Sequence, residues 1–169
     1  MKQINSLIEE QIPRLRRYAR ALTGDRNRAD DLVQDTLERA WEKLAMWRQG
    51  SDIRAWMFTI MHNIFINQIR QNASAQTFVP LAEDALEVPI RATQSDNLEM
   101  HDLMSAIYRL PEEFRTVVLL VGLEQLRYEE VATVLGVPIG TVMSRLSRGR
   151  EKLRVLMAGN TAPALRRVK

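Results

Sequence analysis

The residues whose types and spacing could do chemistry are concentrated at positions 128–153, YEEVATVLGVPIGTVMSRLSRGREKL, where hydroxyls and arginines recur on one side of an expected helix. Thr141, Ser144, Arg145 and Arg148 share that side. An arginine fork can pair with a guanine edge in the major groove, and short hydroxyls or the amides of a helix start can hold phosphates. Met143 and Ser147 stand at the edge of this group, and Arg127, Tyr128, Arg150 and Lys152 are spaced to meet the sugar-phosphate backbone. Arg154 extends the positive field. The chemistry is recognition of duplex DNA rather than bond making. No phosphate-cradling glycine loop and no nucleophile–base pair is present, so no catalytic residue is expected.

Such a face needs two helices to present it. Ala132 is small where they must cross, Gly136 can take the left-handed conformation that ends the first, and Pro138 blocks its continuation. The second helix restarts near Ile139 or Gly140, and Val142, Leu146, Gly149 and Leu153 recur on it as a buried seam. This is the pattern of a helix-turn-helix. An ordinary amphipathic helix with a solvated basic face would share the arginines but would leave the Ala132, Gly136 and Val142 combination unexplained.

The 169 residues, 46% of them apolar, suffice for one ordinary domain or two small ones. Seven glycines, six prolines and few β-branched alternations favour an all-α fold. The net charge of +3 is unevenly placed: 12 basic and 9 acidic residues in 1–72, 1 and 5 in 73–100, and 11 and 7 in 101–169. An acidic connector therefore separates two basic blocks. The absence of cysteine excludes disulfides, thiolate zinc sites and cysteine nucleophiles. His62 and His101 lack companion ligands and read as structural or surface histidines, so no metal and no cofactor is expected. No apolar run approaches the roughly 20 residues of a membrane span, and the first residues carry charge where a signal peptide needs its apolar core. The expected location is the cytoplasm.

The helical period predicts a first helix over 4–22, bent or restarted at Pro13 and closed by Gly24, then a connection at 25–29. A second helix is expected over 28–46, with Leu32, Val33, Leu37, Ala40, Trp41 and Leu44 as its apolar stripe. A loop at 47–52 follows, and Ser51 or Asp52 caps a third helix ending near Arg70. Trp41 and Trp56 are read as core aromatics at helical spacing. Fading periodicity, Pro80, Pro89 and scattered acids mark 73–95 as a flexible linker. Asp96 and Glu99 have the spacing of a capping box for the next helix, which ends before Pro111. Pro111 starts another helix over 112–123, ahead of the helix-turn-helix, and the tail frays after Ala158. The domain expectation is 1–72, linker 73–95, 96–158 and tail 159–169: two small helical domains, the second a helix-turn-helix.

Four ordered segments carry a resemblance: LTGDRNRADDLVQDTLERAW (22–41), DIRAWMFTIMHNIFINQIR (52–70), LPEEFRTVVLL (110–120) and LRYEEVATVLGVPIGTVMSRLSRGREKLR (126–154). Over 12–156 the chain resembles bacterial RNA polymerase sigma factors of the extracytoplasmic-function subgroup of the sigma-70 family. That family has two helical domains, called regions 2 and 4, without the large domain that separates them in housekeeping sigma factors. The resemblance implies an alternative sigma factor that binds core polymerase, recognises two promoter elements and promotes their opening for a stress- or signal-responsive regulon.

Carried onto matching positions, the resemblance assigns Asp31, Gln34, Asp35 and Glu38 to the clamp helices of the largest polymerase subunit. The helical period independently places these four on one exposed strip suited to a basic partner. The minus-ten element would be held by the loop Arg48, Gln49, Gly50, Ser51 and Asp52 and by Thr59, His62, Asn63, Asn67 and Arg70. Opening extrudes bases at a cost on the order of a few kcal/mol, which a preformed pocket can offset. The minus-thirty-five element would be read as duplex by the helix-turn-helix set named above. The family pattern often has a basic residue where this chain has Met143, and sometimes an aromatic where it has Ser147, so the promoter sequence does not follow. An anti-sigma factor, in some relatives membrane-tethered, is an implied partner, without membrane insertion of this chain. Two rivals stay open: a helix-turn-helix regulator that never joins polymerase, and a sigma mimic that sequesters an anti-sigma factor.

Overall fold

The computed structural model describes residues 1–74 and 94–161, and every regular element among them is helical. These are α1 (Lys2–Thr23), α2 (Arg26–Glu42), α3 (Ile53–Ser74), α4 (Gln94–Arg109), α5 (Glu112–Gly122), α6 (Tyr128–Leu135) and α7 (Ile139–Thr161), with a 3-10 turn at Leu44–Met46. Most of the expected linker, with Pro80 and Pro89, and the end of the tail lie outside the described residues.

Local chemistry fixes the helix ends. The first helix runs unbroken through Pro13, where the sequence predicts a bend; Pro13 is exposed, so the carbonyl deprived of its donor can be hydrated. Gly24 closes α1 at φ +65, and its N–H donates to Arg20 O at 3.0 Å. A Cβ there would lie 2.6 Å from the Tyr108 ring, so the site demands glycine for space as well as conformation. Asp25 then caps α2 by accepting from the Arg28 N–H at 3.0 Å, which shortens the expected connection to Gly24 and Asp25. The second helix stops at Glu42, short of position 46, because the chain tightens into the 3-10 turn. Asp52 caps α3, accepting from Arg54 N–H at 2.9 Å, and α3 continues to Ser74, beyond the expected end at Arg70. The fourth helix starts at Gln94, so Asp96 lies inside it rather than at a capping box. The seventh runs to Thr161, past the expected fraying at Ala158.

The N-terminal bundle, α1 to α3, closes around Leu15, Tyr18, Leu22, Leu32, Met57, Phe58 and Met61, all essentially without exposed surface. Each such aliphatic side chain contributes about 1.5–3 kcal/mol of transfer free energy. Tyr18 meets Phe58 edge-on at 5.2 Å, and burial pushes its hydroxyl well above the usual tyrosine range. Trp56 packs partly against this core and 6.4 Å from Trp47. Trp41 does not belong to it: it is 45% exposed, on the side of α2 away from the fully buried Thr36 and Ala40.

The C-terminal bundle, α4 to α7, contains the expected helix-turn-helix. Gly136 is left-handed at φ +65, and the Val137 N–H reaches back to Ala132 O at 3.1 Å, the bond of a Schellman stop. Val142, Leu146 and Gly149 are buried along one seam of α7, with Leu153 partly so. Gly149 is where α5 and α7 cross most closely, since a Cβ there would lie 2.8 Å from Val118 Cγ2. The two bundles are not independent bodies. The first helix packs on α4 and α5, α3 packs on α6, and one cluster of buried apolar side chains runs from Ile8 to Leu146.

Two substitutions test these constraints by thermal unfolding. Gly149→Ala gains helix propensity of about 1 kcal/mol but overpacks the crossing at typically 1–3 kcal/mol, so a net loss of roughly 1 kcal/mol is expected. Among the described residues, Gln125 is the non-glycine residue with positive φ, at +54, and is exposed. Gln125→Gly removes a left-handed penalty of about 1–2 kcal/mol against glycine's extra chain entropy of about 0.5–1 kcal/mol. It should raise stability, by up to about 1 kcal/mol.

Candidate nucleic-acid and polymerase interfaces

Three surfaces carry the residues singled out by type and spacing. The first is the outer face of α2, where Asp31, Gln34, Asp35 and Glu38 are all exposed. Gln34 Nε2 donates to Glu38 Oε1 at 3.1 Å, and Gln68 Nε2 of α3 donates to Asp35 Oδ2 at 3.3 Å. The carboxylates are otherwise free to meet a cationic partner. Trp41 follows Glu38 by three residues and so borders the same strip, an apolar anchor beside the charges. Its exposure was not legible from periodicity, because the spacing fits the buried stripe as well as the strip's edge.

The second surface is the loop before α3 and part of α3 itself. Arg48, Gln49, Gly50, Ser51 and Asp52 are exposed in a tight turn, with Ser51 N–H and Ser51 Oγ both donating to Arg48 O at 3.0 and 2.7 Å. Gly50 supplies the positive φ, +90, that this turn requires. On α3, Asn63, Asn67 and Arg70 are exposed and form one stripe with Thr59, whose hydroxyl is committed to Ala55 O at 2.8 Å. His62 is turned away from that stripe and largely buried. Burial, aided by the nearby Arg145 charge, lowers its pKa to about 4, so the ring is neutral at physiological pH.

The third surface is the helix-turn-helix. Met143, Ser144, Ser147, Arg148, Arg150, Lys152 and Arg127 are exposed; Thr141, Arg145 and Tyr128 are half-buried. A shallow concavity between the two helices is lined by Tyr128, Met143, Leu146, Ser147, Arg150, Glu151 and Arg154. Arg154 is engaged by Glu151, through Nη2 at 2.6 Å and Nε at 3.1 Å, so its charge is partly spent within α7. Lys152 Nζ lies 5.8 Å over the Phe114 ring. The Arg145 charge reaches His62 of α3, in the N-terminal bundle, and Glu112 of α5. The fold thus sets His62, a minus-ten candidate, near Arg145, a minus-thirty-five candidate.

A fourth cluster, absent from the sequence reading, joins the bundles. Glu124 has no exposed side-chain surface, and the Arg17 guanidinium of α1 grips it: Nε to Oε1 at 3.1 Å, Nη2 to Oε1 at 3.0 Å and to Oε2 at 3.1 Å. Burial pushes the Glu124 carboxyl up, and the Arg17 bonds pull it back. Arg115 of α5 donates Nη1 to Leu22 O at 3.0 Å and Nη2 to Tyr108 O and Leu110 O at 2.8 and 2.9 Å. Its guanidinium also lies 4.7 Å over the Tyr108 ring, which in turn covers Gly24. Arg54 of α3 approaches Glu130 of α6 at 3.6 Å. The signal in sequence was faint: Glu124 is a lone acid in the apolar run 117–126. Among the described residues, no group of three potential ligands is placed to hold a metal, and no helix is long and apolar enough to cross a membrane.

These surfaces have counterparts in known proteins. Residues 8–62 match the family described as the Sigma2 domain of PhyR, and residues 100–153 match Sigma-70, region 4. The ECF RNA polymerase sigma factor EcfG of Rhodopseudomonas palustris (strain TIE-1) is 35% identical over 148 residues, covering 86% of this chain and 80% of that protein. The sigma factor RpoE of Bartonella quintana, solved in complex with the anti-sigma factor NepR, superposes with a TM-score of 0.80 at 33% identity, over 94% of this chain and 98% of that one. A score that high over both bundles at once requires them to share their mutual orientation. CnrH, solved with the cytosolic domain of CnrY, gives 0.68 at 25% identity over 93% of this chain and 88% of that one. With both terminal segments matched in order and the whole length aligned to such relatives, the chain belongs to the extracytoplasmic-function RNA polymerase sigma factors.

Proposed function

We propose that the chain is an alternative sigma factor whose N-terminal domain, 1–72, binds core polymerase and the minus-ten element, and whose C-terminal domain, 96–158, reads the minus-thirty-five element. The observation that carries this is the presence, in one chain of this family, of an exposed acidic strip on α2 and a separate arginine face on α7. Asp31, Gln34, Asp35 and Glu38 meet the clamp helices of the largest subunit, with Trp41 as the apolar anchor at the strip's edge. The exposed loop 48–52 and the Thr59, Asn63, Asn67 and Arg70 stripe receive the opened strand, with His62 at its margin. Thr141, Ser144, Arg145 and Arg148 enter the major groove, Met143 and Ser147 flank them, and Arg127, Tyr128, Arg150 and Lys152 hold phosphates. The chain supplies specificity in the cytoplasm and leaves nucleotide transfer to polymerase. A regulating anti-sigma factor fits the relatives solved with one.

A second reading has one observation in its favour: the N-terminal match is to a domain of PhyR, a protein described elsewhere as an anti-anti-sigma factor complexed with NepR. A chain of that kind would capture an anti-sigma factor without starting transcription. The structural likeness to PhyR is at 16% identity and bears on fold alone, whereas the EcfG relative is 35% identical. Run-off transcription with core polymerase on genomic DNA, followed by mapping of RNA start sites, decides between them; no initiation at any template favours the mimic.

The Asp31→Ala, Gln34→Ala, Asp35→Ala triple variant should keep its helical circular dichroism, since alanine favours helix. It should lose polymerase in pull-down by about tenfold or more, equivalent to about 1.4 kcal/mol. Full retention would exclude α2 as the grip. In holoenzyme binding to the mapped promoter, Arg145→Ala should lose about 1–3 kcal/mol and relax preference at one base pair. An equal loss on every sequence would make Arg145 a phosphate contact instead.

A further inference from the structure

The outer face of α7 is divided by side-chain type. At about 100° per residue, Gly140, Ser144 and Ser147 fall opposite the buried seam of Val142, Leu146 and Gly149, and all three are short. Thr141 and Arg148 stand on one flank of this low centre. On the other stand Ile139 and Met143, one helical turn apart and 39% and 49% exposed. Met143 also lines the shallow concavity beside Tyr128 and Arg150, which gives its side chain a wall but no cover. The first turns of a recognition helix are where base edges are met, and a low centre lets such an edge come close while both flanks reach past it. We propose that Met143, with Ile139 beside it, reads the C5-methyl group of a thymine in the upstream duplex element, so that one thymine–adenine pair is specified there by apolar contact. The assignment rests on the DNA role of α7 given above.

Methionine carries no N–H or O–H, and its sulfur is a weak acceptor. Pressed against a base edge it displaces water and returns no hydrogen bond, which penalises the amino groups of adenine and cytosine and the N7 and O6 atoms of guanine. The thymine methyl is the apolar feature of the major-groove code, and contact with it removes apolar surface from water on both sides. An unbranched thioether with three rotatable bonds can follow the methyl to wherever the groove places it. The opposite flank has the complementary chemistry, since the Arg148 fork suits guanine or phosphate. Between the two, the Ser144 hydroxyl already donates to Thr141 O at 3.2 Å and so offers DNA its lone pairs rather than its proton. One helix face thereby carries an apolar reader and a cationic reader, set apart by side chains too short to obstruct either.

The test uses holoenzyme formed from the full-length chain and core polymerase, bound to the promoter located by start-site mapping. Each thymine of the upstream element, on either strand, is replaced singly by deoxyuridine, which keeps the pairing and lacks only the methyl. One replacement should weaken wild-type binding about fourfold, the worth of one buried methyl group. Met143→Ala should bind the thymine duplex about fourfold more weakly and be indifferent to that replacement, the non-additivity that a direct contact produces. Met143→Leu should keep the methyl preference, and Arg148→Ala should bind more weakly yet keep it too. Because Met143 lies outside the core, the variants should retain the wild-type circular dichroism. A site at which no thymine responds to loss of its methyl overturns the proposal, as does an equal response in wild type and Met143→Ala. Should Met143→Ala instead release core polymerase, the apolar pair is a protein contact and the assignment falls. A holoenzyme that binds no promoter sinks the sigma reading and this assignment with it; one that starts RNA chains while ignoring the methyl sinks this assignment alone.

Discussion

A carboxylate stripped of water is unfavourable unless a cation replaces the lost hydration, and Glu124 finds that cation more than a hundred residues earlier in the chain. Because both Glu124 oxygens are used, the contact fixes the rotation of α5 and the chain after it relative to α1 as well as their distance. The other seam contacts are consistent with that geometry. Arg115 satisfies the carbonyl end of α1, where the helix dipole favours positive charge, and the left-handed Gly24 leaves room for the Tyr108 ring. The apolar cluster that continues from one bundle into the other supplies area; the ion pair supplies register.

The arrangement separates two tasks that a specificity subunit must not confuse. The strip proposed to meet polymerase lies on α2, is exposed and makes none of the ion pairs that join the bundles. The residues proposed to face DNA lie on α3 and α7, where His62 and Arg145 sit near each other and Asn63, Asn67, Ser144 and Arg148 are exposed. A neutral His62 is part of this separation: burial and the Arg145 charge both disfavour its protonation, so no buried charge repulsion works against closure at neutral pH.

What the sequence made legible is what local geometry determines. Gly136, Pro138, Val142, Leu146 and Gly149 are constrained by a turn and one crossing within twenty residues, and each stands where its chemistry placed it. The all-helical class and the exposed acidic strip follow from the 3.6-residue period in the same way. Trp41 was misplaced because its helical spacing fits the edge of the exposed strip as well as the buried stripe. Gln125 was unreadable, since no residue type marks a left-handed position unless it is glycine or asparagine. The seam was unreadable for another reason: Arg17, Arg54, Arg115 and Glu130 look like ordinary helix-surface charges, Glu124 is only a lone acid in an apolar run, and the tertiary fold alone gives them their partners.

The same logic bears on how such a chain could respond to partners without any change in its covalent structure. The seam is a few polar contacts over a shared apolar patch, and a ligand could shift it by no more than its differential affinity for joined and parted bundles. A partner that spans both bundles in the closed orientation gains from an arrangement already assembled and spends little on ordering. A partner that needs the bundles apart must instead supply the free energy of separation from its own contacts. What sets that free energy is the pairing of Arg17 with the buried Glu124 and of Arg115 with the Leu22 carbonyl, together with the apolar area between the bundles.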